Sequence, residues 1–404
     1  MQTINLIYYD GGNAMSQQEK IFNTIPVGTL GIVALESSRS LGNKVNDYIV
    51  DWRRERNNEH KTTIAFAGYQ RDSYLVDASC PRFGSGEAKG VIKESVRGSD
   101  LYLIVDVCNY SLTYSVSGHT NHMSPDDHYQ DLKRVIAAVG GKARRITVIM
   151  PFLYESRQHK RSSRESLDCA LALQELTNMG VESIITFDAH DPRVQNSIPL
   201  KSFETVQPTY QFVKALLKNV PDIKMDAEHM MVISPDEGGM SRAVYYANVL
   251  GVDMGMFYKR RDYTKIVDGR NPIVAHEFLG TDIEGKDMLI IDDMISSGDS
   301  MIDVATELKR RKAGRIFVAC TFGLFTNGLE KFDKAVEEGL ITKVLTTNLV
   351  YQPEELLKRD YYISVDISKY IALLIDTLNH DASISDLLNP TERIQEVLKK
   401  YGQR

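Results

Sequence analysis

The chain has 404 residues, more than one hydrophobic core usually serves, so its length predicts two domains with extensions. Its composition, 43% hydrophobic and 25% charged, is typical of a globular protein and argues against a disordered or fibrous one. A formal net charge of -6 argues against a broad nucleic-acid-binding surface, and no apolar run reaches the roughly 20 residues that span a bilayer. We therefore expect a cytoplasmic protein with no nucleic-acid partner and no membrane partner.

Short β-branched runs alternate with helical stretches along the chain, a pattern that predicts parallel sheets flanked by helices. The run at 30–35 precedes a helical stretch at 41–52, and the run at 231–234 precedes one at 240–250. Other apolar runs that predict buried strands are 101–107, 146–150, 184–187, 288–291, 316–321 and 344–347. The sequence therefore predicts an α/β fold.

The predicted strands fall into two sets with a joint near residues 203–208. We divide the chain into an N-terminal extension at 1–27, one α/β domain at 28–203, a second at 204–352 and a helical tail at 353–404. Apolar residues at helical spacing between residues 363 and 388 indicate that this tail packs back on the domains.

The most informative motif follows the apolar run at 288–291. Asp292 and Asp293 can accept hydrogen bonds from vicinal ribose hydroxyls, and the backbone N–H groups of the small-residue loop that follows can hold a phosphate at a helix N-terminus. That loop consists of Ser296, Ser297, Gly298, Asp299 and Ser300. The alternative, an acidic turn capped by Ser300, would not need paired acids. The motif resembles the phosphoribosyl pyrophosphate loop of type I phosphoribosyltransferases and ribose-phosphate pyrophosphokinases.

Further segments resemble the pyrophosphokinases rather than the transferases. They are Arg-Phe-Gly-Ser-Gly-Glu at 82–87, Glu-Ser-Val-Arg-Gly at 94–98, Ser-Arg-Gln-His-Lys-Arg at 156–161, Asp-Ala-His at 188–190, Ser-Pro-Asp-Glu-Gly-Gly at 234–239 and Lys-Arg-Arg at 259–261. The resemblance covers about residues 28–388. It implies two tandem type I phosphoribosyltransferase-like domains, each a mostly parallel sheet flanked by helices, with the ATP motifs in the first and the ribose phosphate loop in the second.

The resemblance also implies an activity and a set of substrates. A ribose-phosphate diphosphokinase transfers the β,γ-pyrophosphoryl group of ATP to the 1-hydroxyl of ribose 5-phosphate, giving phosphoribosyl pyrophosphate and AMP for nucleotide biosynthesis. It implies that Phe83 and Glu87 contact the adenine of ATP held by a neighbouring subunit, in a homo-oligomer that is a dimer or a hexamer. It assigns Arg157 and Gln158 to the ATP phosphates.

The remaining implied roles concern the metal and the transition state. By resemblance, His190 and Asp236 hold Mg²⁺, and a carboxylate is a usual ligand of that ion. Lys259 and Arg261 begin a basic loop that closes over the reacting phosphates and stabilises the charge that develops there.

Four residues depart from the family pattern. Ser85 and Ser296 stand in place of acids, His159 replaces the Asp after Arg-Gln, and Asp299 replaces a glycine. The segment 115–128 is also longer than in the family; its histidines, His119, His122 and His128, indicate a polar surface insertion or, as the alternative, a zinc site.

Three other functions stay open beside the main one. They are a non-catalytic regulatory homologue, a phosphoribosyltransferase, and a pyrophosphokinase for a modified ribose such as ADP-ribose.

Overall fold

The computed structural model describes residues 24–56, 66, 68–261 and 273–403. The chain divides into two compact units. The first unit contains the chain up to Thr186 together with Asp191–Thr205 and Ser368–Leu388, and the second contains Phe187–His190, Val206–Ile367 and the residues from Asn389 onward. None of the helices within these described ranges is both long enough and apolar enough to cross a membrane.

The first unit is built on a five-stranded sheet. The strands in this part of the chain are β1 (Thr29–Ala34), β2 (Ala78–Ser79), β3 (Val91–Ile92), β4 (Ser99–Ile104), β5 (Thr113–Val116), β6 (His119–His122), β7 (Arg145–Ile149), β8 (Ser183–Phe187) and β9 (Ser202–Val206). The sheet order is β1-β4-β7-β8-β9, and β1, β4, β7 and β8 pair in parallel. Strands β2 and β3 form one small antiparallel pair, and β5 and β6 form another.

The second unit is built on a seven-stranded sheet. Its strands are β10 (Met230–Ser234), β11 (Asp253–Arg261), β12 (Ile273–Leu279), β13 (Asp287–Ile295), β14 (Ile316–Gly323), β15 (Lys343–Thr347) and β16 (Tyr362–Val365). The sheet order is β12-β11-β10-β13-β14-β15-β16, and every neighbouring pair is parallel except β11 with β12. After β10 the chain forms β11 and β12 on one side of β10 and then returns to form β13 on its other side. Such a change of direction leaves a crevice at the carboxyl ends of β10 and β13.

The α-helices flank these sheets. In chain order they are α1 (Arg39–Glu55), α2 (Pro125–Val139), α3 (Asp168–Asn178), α4 (Thr209–Asn219), α5 (Met240–Leu250), α6 (Asp299–Arg310), α7 (Glu330–Glu337), α8 (Glu354–Leu357), α9 (Ser368–Asn379), α10 (Ser385–Leu388) and α11 (Thr391–Lys400). Helix α2 has clear end signals, because Ser124 and Asp127 form a reciprocal capping box and Gly140 ends the helix with φ of 58°.

Helix α6 shows how the sequence places a helix on the second sheet. Its buried residues Met301, Val304, Ala305 and Leu308 recur at helical spacing. They share one buried apolar cluster with residues of β13 and β14. Since burial of apolar area is the main stabilising contribution to folding, this face fixes the helix and therefore the loop that leads into it.

The predicted α/β class, with mostly parallel sheets flanked by helices, is confirmed. The predicted joint near 203–208 includes the point where the chain passes from Thr205 in the first unit to Val206 in the second. The stretch 353–404, expected as one helical tail, contains strand β16, and its later helices divide between the two units. Helical spacing cannot reveal a four-residue edge strand that directly precedes a helix.

Candidate active site

The crevice at the carboxyl ends of β10 and β13 forms a cleft of about 420 Å³. It brings together four of the predicted site residues, His190, Asp236, Asp292 and Asp293. The other lining residues are Glu237, Gly238, Gly239, Arg242, Tyr258 and Met294. All of them belong to the second unit, which includes the last residue of β8 and the three residues after it, Phe187–His190.

The paired acids occupy different environments. Asp293 is 4% exposed and its Oδ2 lies 2.7 Å from Nδ1 of His190. Burial by itself raises the pKa of a carboxyl, but the hydrogen bond from His190 and the charge of Arg242 hold the pKa of Asp293 below its usual value. Burial and the neighbouring charge of Asp293 raise the pKa of Asp292 well above its usual value. Asp293 is therefore the ionised partner. The charged form of Asp292 is the one that a bound hydroxyl or cation would stabilise more.

The contact with Asp293 also orients the imidazole of His190. A carboxylate only accepts hydrogen bonds, so Nδ1 of His190 carries the proton. In the neutral ring the other nitrogen, Nε2, then has a lone pair, which is the form that binds a metal ion.

The loop after β10 is held by its own backbone. Oδ1 of Asp236 accepts hydrogen bonds from the N–H groups of Gly238 at 2.9 Å and Gly239 at 3.2 Å. The Ser234 hydroxyl donates to the Asp236 carbonyl oxygen at 2.7 Å. A Cβ atom on Gly239 would lie 2.9 Å from that hydroxyl, so a side chain there would displace the Ser234 hydroxyl from this contact. The Asp236 carboxylate is consequently fixed at the cleft.

Arg242 is a site residue that the sequence did not reveal. Its Nε donates to both carboxylate oxygens of Asp188, at 2.8 and 2.9 Å, and its Nη1 lies 3.3 Å from Oδ1 of Asp292. Asp188 also accepts from Thr321 at 2.7 Å and from Gln207 at 3.1 Å. The carboxylates raise the pKa of Arg242 although burial lowers it. Arg242 thus places a positive charge next to the acidic pair, Asp292 and Asp293.

The loop from Ser296 to Ser300 leads from β13 into α6. Gly298 has φ of 87°, and a Cβ atom there would lie 2.3 Å from Cε2 of Phe332, so only glycine fits. Asp299, the acid in place of a glycine, forms an ion pair with Lys331 and accepts from the Ser297 hydroxyl at 2.9 Å. The hydrogen bond from Lys331 holds the pKa of Asp299 below its usual value.

The four residues assigned to ATP lie in the first unit. Phe83 is 52% exposed, and its N–H donates to the Glu87 carbonyl oxygen at 2.7 Å. Arg157 is exposed, whereas the Gln158 side chain donates to the carbonyl oxygen of Ser166 at 2.7 Å. An exposed phenyl ring and an exposed guanidinium are available to a ligand.

Two of the departures also lie in the first unit. Ser85, in place of an acid, donates to the Glu87 carboxylate at 2.9 Å. Nε2 of His159 lies 3.5 Å from the Asp191 carboxylate. Both substitutions are therefore tied into local polar contacts.

The histidines of the long segment 115–128 lie on two elements. His119 and His122 lie on the exposed strand β6, whereas His128 is buried on α2 with Nε2 2.8 Å from the Asn109 carbonyl oxygen. In the described part of the chain, no group of three or more His, Cys, Asp or Glu side chains is arranged to hold a metal ion. The three histidines therefore do not form such a group.

Lys259 and Arg261 end strand β11. Lys259 pairs with His276 and Arg261 with Ile273, across the antiparallel pair that β11 forms with β12. The strand thus extends through the point where the sequence predicted a loop to begin. Their side chains and residues 262–272 lie outside the described residues.

Comparisons with known proteins cover most of the chain. The family profile described as the N-terminal domain of ribose phosphate pyrophosphokinase matches residues 30–180, and the phosphoribosyl transferase domain profile matches residues 200–354. A ribose-phosphate pyrophosphokinase of Pasteurella multocida is 30% identical over 317 residues, 77% of this chain and 90% of that protein. One of Vibrio cholerae is 29% identical over 321 residues, 78% of this chain and 92% of that protein.

A solved structure agrees with these matches. The phosphoribosylpyrophosphate synthetase from Mycobacterium smegmatis superposes with a TM-score of 0.68 at 20% identity, over 88% of this chain and all of that one. At this identity the likeness concerns the fold, which consists of two phosphoribosyltransferase-like domains.

Proposed function

This chain belongs to the ribose-phosphate pyrophosphokinase family, and from that premise we propose that it transfers the β,γ-pyrophosphoryl group of ATP to the 1-hydroxyl of ribose 5-phosphate. The products are phosphoribosyl pyrophosphate and AMP, for nucleotide biosynthesis in the cytoplasm. The observation that supports this most strongly is the single cleft shared by His190, Asp236, Asp292 and Asp293. The carboxylates of this cleft can accept hydrogen bonds from two sugar hydroxyls. Beside them lie side chains that can ligate a metal ion bound to phosphate.

The chemistry of the cleft suits Mg²⁺. Four acids line it, namely Asp236, Glu237, Asp292 and Asp293, and Arg242 is the one arginine or lysine among its described lining residues. Even without a charge on Asp292, the other three acids outnumber this arginine, so the cleft favours a cation, and carboxylate oxygen is the ligand type that Mg²⁺ prefers. Because this ion commonly takes one or two protein carboxylates and completes its shell with water and phosphate, a preformed cluster of three ligands is not needed.

We assign His190 and Asp236 to the metal. His190 would use Nε2, since Nδ1 is engaged by Asp293, and Asp236 would use a carboxylate oxygen at the end of β10. When bound, Mg²⁺ would neutralise charge on the ATP phosphates. The protein's own part is to hold its ligands in fixed orientations before substrate arrives.

The sugar phosphate would bind along β13 and the start of α6. Asp292 and Asp293 accept hydrogen bonds from the vicinal hydroxyls of the ribose. The phosphate lies on the backbone N–H groups of the loop formed by Ser296, Ser297, Gly298, Asp299 and Ser300, where the helix dipole also favours an anion. This orientation leaves the anomeric hydroxyl free to react.

The ATP would be held by residues that supply charge and a flat surface. Arg157 and Gln158 donate to its phosphates, and Phe83 and Glu87 contact its adenine. In our proposal the adenine contacts come from a neighbouring subunit, so the working protein is a homo-oligomer, a dimer or a hexamer.

The chemical step is a displacement at the β-phosphorus. The anomeric oxygen attacks this phosphorus, the bond from the phosphorus to the α,β-bridging oxygen breaks, AMP leaves and the hydroxyl proton is released. Such a reaction depends mainly on positioning the reactants and on stabilising phosphate charge. In our proposal the positive charges of Lys259 and Arg261 stabilise the negative charge on the reacting phosphates.

Product analysis tests this function. Purified protein with ATP, Mg²⁺ and ribose 5-phosphate should form AMP and a pyrophosphorylated sugar, and chelation of the Mg²⁺ should stop the reaction. Accumulation of ADP would identify an ordinary kinase instead. ADP-ribose in the same panel distinguishes a preference for a modified ribose, and absence of turnover with every sugar would favour the regulatory homologue.

A further inference from the structure

The proposed phosphate loop contains a negative charge of its own. Asp299 is the first residue of α6 and lies in the five-residue loop from Ser296 to Ser300. A carboxylate this close to a bound phosphate dianion disfavours binding, because like charges repel. The loop therefore needs a neighbouring positive charge that offsets the charge of Asp299 if it is to hold a sugar phosphate.

Lys331 provides the opposite charge. Its Nζ forms a hydrogen bond with Oδ1 of Asp299, and the Ser297 hydroxyl donates to Oδ2 of the same carboxylate at 2.9 Å. Both carboxylate oxygens of Asp299 are thus engaged. The side chains of the pair are 51% and 52% exposed.

The position of Lys331 follows from its buried neighbour. Phe332 is fully buried, and its ring lies directly beneath Gly298, at the point where any Cβ atom would collide with it. The ring also packs edge-on against Phe325, with centroids 5.2 Å apart. Because Phe332 fixes the first turn of α7 under the loop, the preceding residue, Lys331, is held beside Asp299.

We propose that Lys331 is a positioning and specificity-determining residue: it cancels the charge of Asp299 and so allows the loop to accept a phosphate dianion. This inference rests on the proposed function. The pair is exposed, and exposed ion pairs contribute little to folding. A role in stability alone therefore predicts no effect of Lys331 on ligand binding, which makes the two interpretations separable.

A double-mutant cycle tests the proposal, with binding of ribose 5-phosphate measured by titration calorimetry without ATP. Lys331→Met exposes the Asp299 carboxylate and should weaken binding of ribose 5-phosphate about tenfold. Binding of ribose, which lacks the phosphate, should not change. In Asp299→Gly and in Asp299→Gly/Lys331→Met the repulsion is absent, so both variants should bind ribose 5-phosphate within about twofold of wild type.

Two internal comparisons make the test specific. Lys334→Met removes a charge from the same helix at a residue that pairs with Glu338 and should bind ribose 5-phosphate as wild type does. The defect of Lys331→Met should also shrink below about pH 6, where the phosphate becomes a monoanion. A defect caused by altered folding would be independent of the phosphate charge.

Different results would contradict the role of Lys331 and the proposed function. If wild-type protein binds ribose 5-phosphate and Lys331→Met binds it equally well, Lys331 has no role in the site. A double variant that stays as weak as Lys331→Met overturns the charge compensation in the same way. If the wild-type protein neither binds ribose 5-phosphate nor forms AMP from ATP in its presence, the proposed function itself is contradicted.

Discussion

Arg242 connects carboxylates that come from distant parts of the sequence. It donates to Asp188, which follows β8, and to Asp292, which lies on β13. Its side chain and that of Asp188 are 11% and 3% exposed. Removing one member of such a buried pair leaves an uncompensated charge, which is more costly than the loss of an exposed ion pair.

We therefore predict that Arg242→Leu lowers the free energy of unfolding by about 3–5 kcal/mol. Urea denaturation followed by circular dichroism measures the change. Arg310→Leu is the matched control, since Arg310 is an exposed arginine on α6 that pairs with Glu307, and it should leave the denaturation midpoint nearly unchanged. Equal midpoints for the two variants would contradict the structural role of Arg242.

The basic pair at the end of β11 gives a kinetic prediction. Replacing both Lys259 and Arg261 with Ala should lower the turnover number about 10²- to 10³-fold while changing ATP affinity much less, because in our proposal their charge is used chiefly in the transition state. Steady-state kinetics and equilibrium ATP binding separate the two effects.

Asp292→Ala serves as the contrast for this variant. It should mainly raise the Michaelis constant for the sugar, because a hydroxyl contact exists in the ground state as well. Near wild-type turnover in the Lys259→Ala/Arg261→Ala variant would remove the pair from the catalytic machinery.

At the scale of elements, the packing of α9 on α1 depends on buried polar contacts. Nε of Arg53 on α1 donates to Asp376 on α9 at 2.9 Å, and both side chains are almost fully buried. Asn379 donates to the carboxylate of Asp100 on β4 at 2.9 Å. These contacts assign α9 to the first unit, although it follows the last strand of the second.

His380, directly after α9, makes this packing sensitive to acid. Burial lowers the pKa of His380 to about 4, although the charge of Asp376 opposes the shift. An unfolded histidine has a pKa near 6.5, so between about pH 6.5 and 4 the unfolded chain binds a proton that the folded chain does not. Stability should therefore fall as the pH falls through this window.

Urea midpoints measured across that window test the prediction. His380→Met should flatten the pH dependence, because the group that protonates on unfolding is absent. An unchanged slope in His380→Met would contradict this origin of the acid sensitivity.

The sequence predicted the long buried strands well and the edge elements poorly. Apolar runs such as 288–291 and 316–321 lie within β13 and β14, because burial on both faces leaves a continuous hydrophobic signal. Strand β16 was missed, since four residues before a helix give no periodicity of their own. Strand β9 was also missed, because its residues lay in the predicted joint between domains.

At the scale of the whole molecule, motif order located most of the candidate site. Asp236, Asp292 and Asp293 line one cleft because β10 and β13 are neighbouring parallel strands that end at the same edge of one sheet, whereas His190 follows β8 of the other sheet. Arg242 could not be predicted, because an arginine in the first turns of an amphipathic helix usually faces solvent. Its pairing with Asp188 joins helix α5 to the segment after β8, and these two segments are far apart in the sequence.

The central claim is that two phosphorus atoms move together from ATP to the sugar. The most direct measurement uses ATP carrying a radioactive β-phosphorus, with ribose 5-phosphate and Mg²⁺, and follows the label by chromatography. Our account predicts that the label leaves the nucleotide and appears in the sugar product while unlabelled AMP accumulates. Label retained in ADP, with only the γ-phosphoryl group transferred, would contradict it.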